Sequence, residues 1–164
     1  LRGLPCQRIQ CRHIHIEQHR HLVYEGSRAT GTVAVHQNDW FSVLEKKERL
    51  LNNGDAYIGA VHIVDGMPEY WIGMFFPINT EVPEGFDFVD IDSLDYAVCY
   101  LQDKEESGVF YTMETHNLCL EKLKSLGFKR KEDDWCFERY NCPRFTTPDK
   151  NGKVILDYGI SIEK

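Results

Sequence analysis

The sequence predicts an α+β domain built as a duplicated strand–helix–strand–strand unit. Helical amphipathic spacing occurs twice, at about 38–51 and about 111–126. Each helical stretch is followed by two short strand-like runs joined by a glycine-containing turn. The runs are rich in β-branched and aromatic residues, and their side chains alternate between two apolar faces.

In chain order, residues 5–17 read as the opening strand, with Ile9, Ile14 and Ile16 set among polar residues. Residues 18–36 are polar and punctuated by glycine, and read as a long connection. Trp40, Phe41, Val43, Leu44, Leu50 and Leu51 then fit one face of a helix, with Asn38 or Asp39 as N-cap and Trp40 in the core. Asn52-Asn53-Gly54-Asp55 ends it. Strands at 56–64 and 69–76 follow, joined by the turn Asp65-Gly66-Met67-Pro68.

The second unit opens with a strand at 94–102 and a polar link from Asp103 to Gly108. Its helix stops at Gly127, a residue type suited to the left-handed turn after a helix. Strands at 135–142 and 153–162 flank the turn Asp149-Lys150-Asn151-Gly152. Residues 1–164 thus read as one domain, with repeat one at about 5–76, repeat two at about 88–163 and a joint at 77–87 containing Pro77, Pro83 and Gly85.

Strand alternation sorts the side chains. Tyr70, Ile72, Met74 and Phe76 share one face, and Glu69, Trp71, Gly73 and Phe75 the other. Ala97, Cys99 and Leu101 form a core-like face, opposite Tyr96, Val98 and Tyr100. A sheet covered by helices on one side only does not need a second apolar face. That face is therefore expected to bury a ligand or another chain.

Composition narrows the function classes. The chain has 19 Lys and Arg against 26 Asp and Glu, a net charge of −7. An acidic chain is a poor partner for nucleic acid, whose binding depends on neutralising phosphates, and a better one for cations. No apolar run approaches the length of a membrane helix and no signal peptide is visible at the start, so no membrane partner is expected; the cytoplasmic compartment is read from the cysteines. A DNA-binding region upstream of Leu1 stays open, as does the oligomeric state.

The six cysteines form no CxxC pair, and Cys99, Cys119 and Cys136 sit among apolar residues, so they read as reduced buried thiols. His13, His15, His19 and His21 lie near Cys11, but a His-rich surface strand is the preferred reading and no metal is assigned. Asp87, Asp90, Asp92 and Asp95 read as a solvated loop and strand edge. There is no phosphate-binding loop, dinucleotide glycine motif or nucleophile elbow, and no cofactor is expected.

One charge breaks the pattern. Glu138 stands inside Trp135-Cys136-Phe137-Glu138-Arg139-Tyr140. A carboxylate among aromatic residues needs a partner or a task, because burying it alone is costly. A bulky cation satisfies both the charge and the ring faces. The plainer alternatives are an ion pair with Arg139, Lys129 or Arg144, or exposure on an edge strand. Tyr140 shares the strand face of Glu138, and Trp71 and Tyr100 are candidate stacking partners. Tyr57, Phe75, Tyr96 and Trp135 are further candidate ligand contacts.

Glu69-Tyr70-Trp71-Ile72-Gly73-Met74-Phe75-Phe76-Pro77, Glu81-Val82-Pro83-Glu84-Gly85-Phe86, Asp95-Tyr96-Ala97-Val98-Cys99-Tyr100 and Trp135-Cys136-Phe137-Glu138-Arg139-Tyr140 together resemble the GyrI-like domain. That domain is the effector-binding part of AraC-type and MerR-type transcription regulators, and also occurs alone and in integron cassette proteins. The resemblance spans about residues 35–163 and is most specific in the second half; the His-rich start departs from it. It implies a curved antiparallel sheet with two helices on one face and a ligand groove on the other. It also implies that Glu138 faces a bulky aromatic or amphipathic cation in that groove.

Three functions follow as expectations. The first is a small-molecule binding module with Glu138 as anionic anchor, acting alone or beside a DNA-binding domain or protein partner. The second is a hydrolase of strained, cyclopropane-type electrophiles, an activity the resemblance also implies, with Glu138, Tyr100 and Tyr140 as catalytic groups. The third is a protein-interaction module that buries its aromatic face against another subunit.

Overall fold

The computed structural model describes residues 8–15, 20–24, 57–77, 80–84, 86–91, 95–132, 135–140 and 143–163, with 8–15 and 20–24 described by their backbone pairing. The fold is α+β. Eight strands form one sheet: β1 (Arg8–His15), β2 (Arg20–Tyr24), β3 (Ile58–Val64), β4 (Met67–Pro77), β5 (Asp87–Ile91), β6 (Asp95–Asp103), β7 (Cys136–Arg139) and β8 (Val154–Ile162). Their order is β1-β6-β8-β7-β3-β4-β2-β5, and neighbouring strands run antiparallel. Helix α1 (Met113–Ser125) precedes β7, and a single turn, α2 (Pro143–Thr146), precedes β8.

The strands near 56–64, 69–76, 94–102 and 153–162 form where their alternation places them. β3 and β4 close through Asp65 and Gly66, both at positive φ, 51° and 78°. A two-residue Asp-Gly loop of this kind matches the twist of the strands it joins, so Met67 and Pro68 already belong to β4 rather than to the turn.

Helix α1 starts two residues later than the spacing predicts, because two 3₁₀ turns, Glu105–Ser107 and Val109–Tyr111, come first. Thr112 caps it, its side chain accepting the Thr115 amide at 3.2 Å. Thr115, Cys119 and Leu123 are its buried residues, four apart along one stripe.

Four expectations about the sheet are corrected. The opening strand does not join the first strand–helix–strand–strand unit. β1 pairs with β6 at one edge of the sheet, Cys11 opposite Cys99. The place beside β4 is taken by β2, from the stretch expected to be a polar connection; Leu22-Val23-Tyr24 has strand-forming residues that its polar flanks conceal. Of the acidic run, Asp87 and Asp90 are exposed on β5 at the sheet edge, in line with the solvated strand-edge reading, but Asp95 is buried at the start of β6. Finally, β7 ends at Arg139, shorter than the 135–142 expected. The predicted helix at 38–51, with Trp40, lies outside the described residues.

The sheet is apolar on both faces, as its alternation suggests. On the α1 face, Ala97, Cys99, Leu101, Leu156 and Ile160 pack with Cys119 and Leu123 of the helix and with Phe110 and Phe145. On the opposite face, Ile58, Ala60, Phe75, Tyr96, Trp135 and Phe137 form a second cluster with Trp71 against it. Each fully buried side chain of Leu or Phe size contributes roughly 2 kcal/mol of hydrophobic stabilisation. Cys99, Cys119 and Cys136 are buried free thiols. Among the described residues, no helix is long and apolar enough to cross a membrane.

Candidate functional site

Cys136 and Glu138 point to the α1 side of the sheet, while Phe137 lies in the cluster on the other side. Glu138 is only 7% exposed. Among the described residues it has no cationic partner, and the Arg139, Lys129 and Arg144 pairings weighed for it do not form. Arg139 and Arg144 instead bridge to Asp157, through Arg139 Nη1 at 3.5 Å and through both Nε and Nη2 of Arg144. Lys129 pairs with Glu163 at 2.7 Å.

Two phenols serve the carboxylate. Tyr70 Oη from β4 and Tyr140 Oη from the end of β7 each donate to Glu138 Oε2 at 2.6 Å. Among the described residues no donor reaches Oε1. Burial raises the Glu138 carboxyl above its ordinary 4.5, against the two phenol hydrogen bonds, which lower it. Burial also raises the Tyr70 and Tyr140 hydroxyls, and the neighbouring carboxylate raises them further, so both stay protonated donors.

Register and a glycine make this contact. In β3, Gly59 stands between Glu138 of β7 and Ile72 of β4. Tyr70 reaches across the space above it. A β-carbon at residue 59 would overlap the Tyr70 hydroxyl and stand 2.9 Å from Glu138 Oε2. The bare α-carbon is therefore what lets a β4 phenol reach a β7 carboxylate two strands away.

The group opens into a cavity of about 1270 Å³ between α1 and the sheet. Tyr70, Glu138, Cys136 and Tyr158 form part of its floor; Tyr111, Met113, His116 and Leu120 form part of the facing wall. Tyr111 and Met113 are 52% and 71% exposed, which sets them at its mouth. His116 Nδ1 lies 2.8 Å from Tyr158 Oη. Burial, and then the charge of Arg130, lower the His116 pKa, which favours the neutral ring.

The sequence-predicted site residues divide between the two faces. Glu138 lines the cavity, and Tyr140 meets it through its hydroxyl while its ring packs edge-on against Phe145 at 5.2 Å. Trp71, Phe75, Tyr96 and Trp135 are in the cluster on the opposite face, where Trp71 and Trp135 make an edge contact at 5.1 Å and His62 stacks on Trp135 at 4.4 Å. Tyr100 lies under the Arg144 guanidinium at 5.2 Å, near the Asp157 ion pairs. Tyr57 packs against Met74 and Phe76, and its carbonyl accepts the Tyr140 amide at 2.8 Å. Trp71 and Tyr100 are thus not neighbours of Glu138, and the cavity that holds Glu138 is on the helix side of the sheet, not the side expected. Tyr70, Tyr111, His116 and Tyr158 are the cavity residues that sequence reasoning missed. The pattern Tyr70-Ile72-Met74-Phe76 identified Tyr70's face, but cross-strand register is needed to bring it to Glu138.

A known structure shares the fold. A bacterial protein from Staphylococcus aureus MU50, provisionally assigned to transcription regulation, superposes with a TM-score of 0.60 at 17% identity, over 96% of this chain and 99% of that one. An integron cassette protein from the mobile metagenome of Vibrio cholerae has a TM-score of 0.46 at 12% identity, over 94% of this chain and 95% of that one. No family profile matches the chain, and no curated protein matches it in sequence.

Proposed function

We propose that the protein is a small-molecule binding domain of the GyrI-like kind, which takes a bulky aromatic cation into the cavity between α1 and the sheet. The observation that carries this reading is the state of Glu138: buried, without a cationic partner among the described residues, and held by two phenols that donate to the same oxygen. Such an arrangement stabilises a negative charge in an apolar wall and leaves Oε1 for an incoming positive group. The rings of Tyr70, Tyr111 and Tyr158, which line the cavity, supply faces that attract a delocalised cation.

The strand order supports the duplicated plan. Read inward from the two edges of the core, β6-β8-β7 and β2-β4-β3 have the same first, third, second arrangement, with β2 rather than residues 5–17 as the opening strand of the first unit. The fold shared with the protein provisionally assigned to transcription regulation is compatible with an effector-binding role. The hydrolytic alternative would use the same carboxylate as acid or base. Binding is favoured over it because both nearby phenol protons are already engaged on Glu138, so neither is poised to polarise a leaving oxygen.

The test is titration with N-methylquinolinium and its neutral isostere 1-methylnaphthalene, followed by tyrosine and tryptophan fluorescence. Glu138→Gln is expected to weaken the cation about tenfold or more and to leave the neutral compound unchanged. Equal loss for both compounds would count against recognition of charge.

A further inference from the structure

The cavity has a second polar end. Arg130, Lys124, Lys129 and Glu132 line it away from Glu138. Lys129 is engaged by Glu163. Arg130 is half-buried, and its Nε is closed off from solvent with no hydrogen-bond partner among the described residues. Arg130 is close enough to His116, on the cavity wall, for its charge to act on that ring. A guanidinium N–H that is desolvated and unpaired is costly, and an acceptor arriving with a ligand removes that cost.

The sheet fixes the spacing of the two ends. Glu138 is paired with Tyr158 on β8, and Arg130 bridges to Ile162 on the same strand. Four residues of strand separate their backbones by about 13 Å. Tyr158, at the Glu138 end, is hydrogen-bonded to His116, which in turn is close enough to Arg130 to feel its charge. One pole is therefore anionic and aromatic, the other cationic with an unused donor.

We propose that the cavity selects amphoteric ligands, with an aromatic cationic group at Glu138 and a carboxylate or similar anionic group at Arg130. This rests on the cation-binding reading above and adds the chemistry of the ligand's other end. A purely cationic ligand fills half the site; a zwitterion of suitable length also satisfies Arg130.

A series of N-methylquinolinium ions carrying carboxyalkyl tails of increasing length, each compared with its methyl ester, tests this by calorimetric titration. At one tail length the acid is expected to bind about tenfold more tightly than the ester. Arg130→Gln should abolish that preference, bringing acid and ester to the same affinity, and Arg130→Lys should restore part of it. Glu138→Gln should weaken acid and ester alike. If the esters bind in a Glu138-dependent way but no acid is preferred, or the preference survives Arg130→Gln, the amphoteric inference is overturned and the cation site stands. If no compound's binding depends on Glu138, the underlying reading fails and this one with it. Melting curves of each variant separate loss of binding from loss of fold.

Discussion

The hydroxyl of Tyr70 occupies the space that a side chain at Gly59 would fill. Gly59→Ala must push Tyr70 away from Glu138 Oε2, leaving a buried carboxylate with one donor instead of two. The expected cost is about 1–3 kcal/mol of stability, read from urea unfolding, together with weaker cation binding. Tyr70→Phe removes the same hydrogen bond without the overlap and should cost less. Equal stability of Gly59→Ala and wild type would show that the glycine is not needed for the contact.

Glu138 makes stability and binding respond to pH in opposite senses. Its carboxyl is raised by burial, so the folded chain keeps this proton at a pH where the unfolded chain, titrating near the ordinary 4.5, has lost it. Its contribution to stability is full below that ordinary value and is lost as pH rises through the raised one. Cation affinity should rise over the same interval as the carboxylate forms. His116 acts in the other direction: lowered by burial and by Arg130, it contributes stability above its ordinary 6.5 that is lost as pH falls through the lowered value. The difference in unfolding free energy between wild type and Glu138→Gln isolates the carboxyl and should decline with rising pH. A flat difference would contradict the raised pKa.

Asp157 is expected to be structural. It is 5% exposed and accepts from both Arg139 and Arg144. Asp157→Ala removes that shared acceptor and should cost about 2–3 kcal/mol, the part-exposed arginines keeping the loss below that of a fully buried pair. Because this cluster is not in the Glu138 cavity, ligand affinity of the folded variant should be unchanged in titration. A selective loss of affinity would connect the two regions.

Thr112 controls the start of α1 and with it the cavity mouth. Thr112→Ala removes the cap on the Thr115 amide and should cost about 1 kcal/mol, seen as a lower thermal midpoint. Thr112→Ser keeps the hydroxyl and should be close to wild type.

Much of this architecture is written in local pattern. The Thr115, Cys119 and Leu123 stripe, the stop at Gly127 and the Asp65-Gly66 turn are signals carried by a few adjacent residues. Glu138 itself stands out because a charge interrupts an aromatic strand. What local pattern does not carry is which face of the sheet receives the helix. Alternation separates Tyr70 from Trp71 but treats both faces alike when both are apolar. The choice depends on Cys136 packing beneath α1, and Glu138 follows it by parity. The meeting of Tyr70 with Glu138 depends on pairing across β3, a long-range property that no window of sequence contains. Strand β2 was missed for a related reason: five residues between polar neighbours gain their identity from β4 and β5 on either side.

The hydrogen bond from Tyr70 to Glu138 joins residues 68 positions apart. One comes from the β3–β4 hairpin and the other from the strand after α1, and β3 and β7 are the adjoining strands that bring them together. Neither portion of the chain holds the proposed cation site alone. A ligand seated there would act as a clasp across the β3–β7 seam, its binding energy resisting separation of the early and late halves of the molecule. On the proposed reading, occupancy and structural integrity become one measurement: a chain cut between β4 and β5 would carry Tyr70 on one piece and Glu138 on the other, and cation binding would report their reassembly.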